Sequence, residues 1–370
     1  MAASPLARST ERSSDVPSAD ARLTDLEASE SPSTIAGVAP SRARGVLAWT
    51  AVCAAFAGLD LAGWLDGLLI PVPLILALVA ARAVRPAPGW DHASRLGAAI
   101  VAAACLPAAA LAWRFGIGLG ELSPSLLVAA LLAFGAALAL MLVPGVGRRF
   151  LRLLGLDPAS PVHRVVAVVF VLTIIDAVVL FLELSESGPV EIPFYPSDPL
   201  VSLMTDVALA LAGIGLGLAR GWRASLDRLG LRRLTLRQLA LAVVVAVVFH
   251  VVIGVLEHLE SVFLPGVHAL EDRFGYDFVG LPPWVGAVLT SMAAGLGEEI
   301  LFRGALQPRL GVVLTAMLFG ALHVQYQLPG MIVIVLMGLG LGVLKERTST
   351  TFTACVHALY DIGAFLLPDF

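Results

Sequence analysis

The chain has 370 residues, 58% of them hydrophobic and 14% charged, with a formal net charge of −4. Soluble domains carry about a quarter charged residues, so this composition, with a mean hydropathy of +0.89, excludes a soluble globular protein and a disordered one. The 24 basic residues are Lys345 and otherwise Arg, a skew that points to a GC-rich bacterial genome, and the balanced net charge gives no footprint for nucleic acid.

Residues 1–44 are rich in Ser, Ala and Pro and contain no apolar run, which predicts a disordered cytoplasmic tail. Apolar runs then follow at roughly 46–64, 67–84, 95–113, 124–143, 162–183, 199–219, 238–256, 284–307, 310–324, 330–344 and 350–367. A hydrocarbon core of ~30 Å takes about 20 apolar residues per helical crossing, and these runs support an all-α, polytopic transmembrane helical bundle of about 11 spans (range 9–11). The runs are continuous rather than alternating, which favours helices over a β-barrel. The expected organisation is a block of about six helices over 45–220, an interfacial basic segment at 221–237, and a second block over 238–370. Cys53, Cys105 and Cys355 all fall inside apolar runs, where a small hydrophobe packs, and no CxxC knuckle is present.

Loop charges set an orientation through the positive-inside rule. With the tail inside, the inner loops hold Arg82, Arg85 and Arg95, then Arg148, Arg149, Arg152 and Arg164, then Arg220 through Arg237, and later Arg309, Lys345 and Arg347. The outer loops hold Arg114 and Arg273 among many acids. The expectation is a multi-pass protein of the bacterial cytoplasmic membrane with a cytoplasmic N-terminus. The Leu and Arg alternation at 222–237 suits a helix lying on anionic lipid.

Ionisable residues inside a membrane are functional candidates by default. Span eight carries Gly297-Glu298-Glu299-Ile300-Leu301-Phe302-Arg303. Glu299 and Arg303 are four apart on one helix face and can pair, whereas Glu298 projects about 100° away and stays free for a cavity. Span nine ends in Phe319-Gly-Ala-Leu-His323, and span eleven carries His357-Ala-Leu-Tyr-Asp361. At 1.5 Å of rise per residue, Glu298 lies ~15 Å, His323 ~20 Å, His357 ~14 Å and Asp361 ~20 Å above the inner helix ends. Three helices can therefore bring a carboxylate and two imidazoles to one buried point, the composition needed to activate water. Asp176 and Asp206 are further intramembrane acids, suited to cross-helix hydrogen bonds or an ion path, and His250 is read as a packing histidine.

These residues resemble the motifs of the CAAX protease and bacteriocin-processing family (CPBP, or ABI), intramembrane proteases that include the Rce1-like enzymes. The family patterns EExxxR, FxxxH and HxxxN or HxxxD stand here as Glu298 to Arg303, Phe319 to His323, and His357 to Asp361. The resemblance covers about 280–367 and leaves the first six spans unexplained. It implies an intramembrane endopeptidase acting on peptide or membrane-protein substrates. Carried over, Glu298 is the base, His323 its partner, and His357 with Asp361 the oxyanion side. Glu299, Arg303 and Phe319 support the site. Asp361 stands where many members have Asn; an ionised Asp cannot donate to an oxyanion, so it is either protonated or orients His357. No cofactor is required by this mechanism, although a divalent metal such as zinc is possible, with Glu298, His323 and His357 as candidate ligands and an open fourth position. The alternatives are a non-catalytic scaffold or bacteriocin-immunity protein of the same fold, and a proton-coupled transporter, which predicts an internal repeat that the chain does not display. Membrane lipid is an expected partner in every case.

Overall fold

The computed structural model describes residues 42–83, 143–186, 190–271 and 274–367, with a few positions between 135 and 140. The tail up to residue 41, the expected span at 95–113, nearly all of that at 124–143, and Cys105 lie outside the described residues.

Helix α1 (Arg42–Leu61) is followed by a turn and α2 (Val72–Ala83). Asp60 closes that turn by accepting the Leu69 N–H at 2.8 Å. With 12 residues, α2 spans ~18 Å, short of a ~30 Å core, so the second expected crossing is not a full-length helix. A short basic helix, α3 (Pro144–Leu153), leads to α4 (Pro161–Glu186), then to strand β1 (Val190–Phe194) and α5 (Asp198–Ile214). Buried Trp49, Phe56, Leu68, Ile75, Val165 and Ala212 knit α1, α2, α4 and α5 into the first core.

The basic segment forms α6 (Trp222–Leu229), which ends on Gly230. Leu229 is buried in the protein against Ile214, Ile300 and Ala305 rather than turned to lipid, while Trp222 and Arg223 remain exposed. Arg228 Nη1 donates to the Gly304 carbonyl at 2.9 Å, which pins α6 beneath the motif-bearing helix. Thr235 and Gln238 make a reciprocal capping box that starts α7 (Leu236–Phe263). After α8 (Pro265–Glu271), strand β2 (Phe274–Phe278) pairs in parallel with β1, Val190 opposite Phe274 and Phe194 opposite Phe278. This pair is absent from the all-α expectation. Each strand is only five residues long, and its partner lies far along the chain, so no local periodicity announces it.

Spans eight and nine form one helical run. It comprises α9 (Pro283–Glu298), a π-helical segment (Glu299–Leu306) and α10 (Gln307–Ala321). Gly311, at φ 76° and ψ 172°, breaks the run. Only glycine adopts that backbone without strain, and beyond it the chain folds back, so that the Phe302 and Phe319 rings meet edge-to-face at 5.1 Å. A 3-10 turn (Val324–Tyr326) connects to α11 (Gln327–Arg347), and α12 (Thr350–Leu366) completes the described chain, capped by Ser349 accepting the Phe352 N–H. The second core joins α7, the π-helical segment, α10, α11 and α12 around Phe302, Phe319, Leu341 and Phe352.

Among the described residues, four helical runs are long and apolar enough to cross a membrane: Arg42–Leu61, Leu236–Phe263, Pro283–Ala321 and Val324–Arg347. This is a predominantly helical membrane protein. Eleven crossings are not confirmed, because α2 is too short and α5 and α12 reach only 17 residues each.

Candidate active site

The site begins where α9 gives way to the π-helical segment. A π turn, with its i→i+5 hydrogen bonds, is rare and recurs at functional sites. Glu298 is the last α-helical residue and Glu299 the first π-helical one, so the two adjacent carboxylates point into different surroundings. The Glu298 side chain keeps 22% of its exposure and lines a cavity of about 1840 Å³. Glu299 is fully buried and pairs with Arg303 Nη1 at 3.1 Å. The Arg303 guanidinium also lies 4.4 Å over the Phe319 ring, a desolvated cation–π contact. Phe319 therefore holds Arg303 on one side and touches both imidazoles, with ring centroids 4.8 Å from His323 and 5.9 Å from His357.

His357, on α12, is buried between the carboxylates. Its Nδ1 donates to Glu299 Oε1 at 3.2 Å. Its Nε2 faces Glu298 Oε2 at 3.9 Å and Asp361 Oδ2 at 3.5 Å. His323 Nδ1 donates to the Phe319 carbonyl at 2.8 Å. A carbonyl only accepts, so the proton is assigned to Nδ1, and Nε2 is the lone-pair nitrogen. Of the two imidazoles, His357 is the one within 4 Å of Glu298, because α12 packs directly on α9 whereas His323 follows the end of α10.

Two glycines permit this packing. A Cβ on Gly295 would fall 2.5 Å from the Ala358 nitrogen, and one on Gly297 would fall 2.9 Å from Asp206 Oδ2. Gly295 therefore lets α12 approach α9 closely enough for His357 to reach both glutamates. Gly295→Ala is expected to cost about 1–3 kcal/mol by overpacking and to displace His357, read as a lower unfolding temperature together with a loss of activity larger than in a surface control. Gly297 plays the same part for α5 and brings Asp206 to the cavity beside Glu298. Sequence alone flags Asp206 as a buried acid but not as a neighbour of Glu298; the Gly at 297 is the available signal. His250 stands against the Tyr360 ring, 6.3 Å between centroids. The Asp176 side chain is not among those described.

Among the described residues, no three His, Cys, Asp or Glu side chains converge as a metal-binding set. The candidate ligands Glu298, His323 and His357 do not meet that geometry as they stand, and no step below passes through a metal.

Residues 280–363 match the family model described as type II CAAX prenyl endopeptidase Rce1-like. No curated protein and no solved structure matches the chain. The matched segment runs from just before α9 into α12 and contains every motif residue discussed above. Over residues 280–363 the chain is therefore similar to the Rce1-like family.

Proposed function

We propose that this protein is an intramembrane endopeptidase that hydrolyses peptide bonds of membrane-associated or peptide substrates with a water activated by Glu298. The observation that carries the proposal is the division of labour between adjacent acids: Glu299 is neutralised by Arg303 and His357, while Glu298 faces the cavity without such a partner on its own helix. The 3.9 Å between Glu298 and His357 is too long for a direct hydrogen bond and suits a water bonded to both. Glu298 takes the proton as that water's oxygen adds to the scissile carbonyl carbon. The Nε2–H of a doubly protonated His357, or a protonated Asp361, steadies the oxyanion. Glu298 then returns the proton to the departing amine as the C–N bond breaks. Glu299, Arg303 and Phe319 hold the frame.

Purified protein incubated with a peptide library and read by mass spectrometry tests this. Discrete cleavage products are expected. Products from no peptide would turn the assignment to a scaffold or immunity role, or to transport. Activity is expected to survive thorough chelation; a loss reversed by one divalent cation would make Glu298, His323 and His357 ligands and reassign the base.

The proposed setting is the bacterial cytoplasmic membrane, with the N-terminus inside and the cavity mouth near Tyr326 outside. Gln327 is 4% exposed and unsuited to labelling, whereas Leu328 is 58% exposed. Leu328→Cys is expected to react with a membrane-impermeant maleimide on intact cells. Protection until lysis would reverse the orientation.

A further inference from the structure

The two-stranded sheet has an edge that opens on the cavity. The Phe194 carbonyl accepts the Val279 N–H at 2.9 Å, and Phe194 stands opposite Phe278 in the parallel register. In a parallel ladder a residue that bonds the partner strand through its carbonyl does so through its N–H as well, and its two neighbours turn both groups the other way. Val190, Ile192 and Phe194 therefore face β2, and Glu191 and Pro193 face away from it. Pro193 fits this assignment, because proline has no N–H to give to a ladder and is tolerated on the open side of an edge strand. The edge ends at Tyr195, whose N–H and carbonyl are both engaged by Asp198, at 2.8 and 3.0 Å. What β1 turns outward is the Glu191 N–H and the carbonyls of Glu191 and Pro193. Among the described residues no group takes these up, and the sheet has no third strand.

The position of the edge points to its partner. The Phe278 ring lies edge-to-face on Phe194 at 5.8 Å and on Phe365 at 6.0 Å, and Gly286 on α9 leaves room for it, so the sheet is fixed to α9 and α12. Pro193 and Phe194 line the cavity that holds Glu298, and the wall continues along α5 through Asp198, Ser202 and Asp206. Asp198 and Asp206 are ~12 Å apart along the helix, a distance that about four extended residues cover at ~3.3 Å each. An unpaired strand edge is a template for another strand, and it is not left facing lipid, only protein or a water-filled cavity. A second copy of β1 suits this edge poorly, because two such edges in antiparallel pairing lack an N–H at each Pro193.

We propose that the outward edge of β1 binds an extended segment of the peptide substrate as a third strand, about four residues from the bond presented to Glu298. This rests on the endopeptidase assignment above. The Glu191 N–H donates to one substrate carbonyl. The Glu191 and Pro193 carbonyls accept two substrate N–H groups that lie two residues apart. Main-chain bonds of this kind give affinity without reading sequence, and pockets for alternate side chains give selectivity. Trp64 and Tyr195, 74% and 50% exposed on the same cavity, supply apolar surface for those side chains.

The test uses purified full-length protein in detergent and the tightest-binding member of a fluorescein-labelled decapeptide library, with single N-methyl groups scanned along its backbone. Binding is measured by fluorescence anisotropy and cleavage by mass spectrometry. Two positions separated by one residue are each expected to lose about fivefold in affinity, the size of a lost hydrogen bond, with the residue between them insensitive. E191P removes the outward N–H and leaves the β1–β2 ladder intact. It is expected to bind the unmodified peptide about fivefold more weakly than E191A, which keeps that N–H. P193A keeps both carbonyls and is expected to bind no more weakly than the wild type. The scan on the wild type keeps the test open should E191P fail to fold. Binding of no library peptide, a scan without such a pair of positions, or equal binding by folded E191P and E191A overturns the edge site. Dimerisation of E191A without peptide, lost in E191P, assigns the edge to a second copy and overturns it as well. Strand-patterned binding with no cleavage upholds the edge site and overturns the peptidase assignment; cleavage with no strand pattern does the reverse.

Discussion

In the Glu298→Gln variant, turnover is expected to fall by roughly 10²–10⁴-fold, the usual contribution of a positioned general base, while the unfolding temperature stays close to that of the wild type. The substitution keeps the shape, exchanges one acceptor oxygen for an NH2 donor, and removes the ability to take a proton. The position tolerates it because Glu298 faces the cavity and its closest approach to His357 is 3.9 Å, not a bond that the fold depends on. Single-turnover kinetics on a cleaved peptide, paired with a thermal melt of the same preparation, measures both. Near-normal turnover would remove Glu298 as the base.

The opposite pattern is expected one residue along. Glu299 and Arg303 are almost completely buried and 3.1 Å apart, and Glu299 also holds His357 Nδ1. Removing one member of a buried pair leaves the other charged and unpaired, at a cost of about 3–5 kcal/mol. Glu299→Ala and Arg303→Ala are therefore expected to lower folded yield and unfolding temperature sharply, beyond any specific effect on chemistry. The double substitution Glu299→Leu with Arg303→Met is expected to regain part of the lost stability, because it leaves no orphan charge. It is not expected to regain activity, since His357 has lost its orienting partner. Stable single variants would show that Glu299 and Arg303 do not depend on each other.

The relation between Glu299 and Arg303 is legible in sequence because it is local: a four-residue spacing puts both on one face. The reversal after the motif helix is legible for a similar reason, since Arg309 and Gly311 interrupt an apolar run, although the break falls at Gly311 rather than between the expected runs 284–307 and 310–324. What escapes the sequence is what depends on how helices are arranged. His357 is placed beside Glu298 by the close packing of α12 on α9 at Gly295, and Asp206 by that of α5 at Gly297. A motif states which residues belong to a site but not which of two histidines a given acid will face. The π-helical register is also silent, because Glu299–Leu306 reads like any other apolar helical segment. The number of crossings is the least legible quantity, since α2 and α5 are apolar enough for a span but not long enough.

The parallel pairing of β1 with β2 carries a consequence for biogenesis. β1 leads into α5, with Asp206, and β2 leads into α9, with Glu298. At about 5–20 residues per second of synthesis, the 84 residues from Val190 to Phe274 take ~4–17 s, and the 155 from Asp206 to Asp361 take ~8–30 s. Throughout the first interval the backbone N–H and C=O groups of β1 have no strand to pair with. Throughout the second, His357 has not yet left the ribosome. Glu298 thus spends its first seconds without the imidazole beside it, and under the proposed endopeptidase function a nascent chain has no assembled centre with which to attack its neighbours. Under that function, the order of the segments along the chain delays assembly of the centre until α12 is in place.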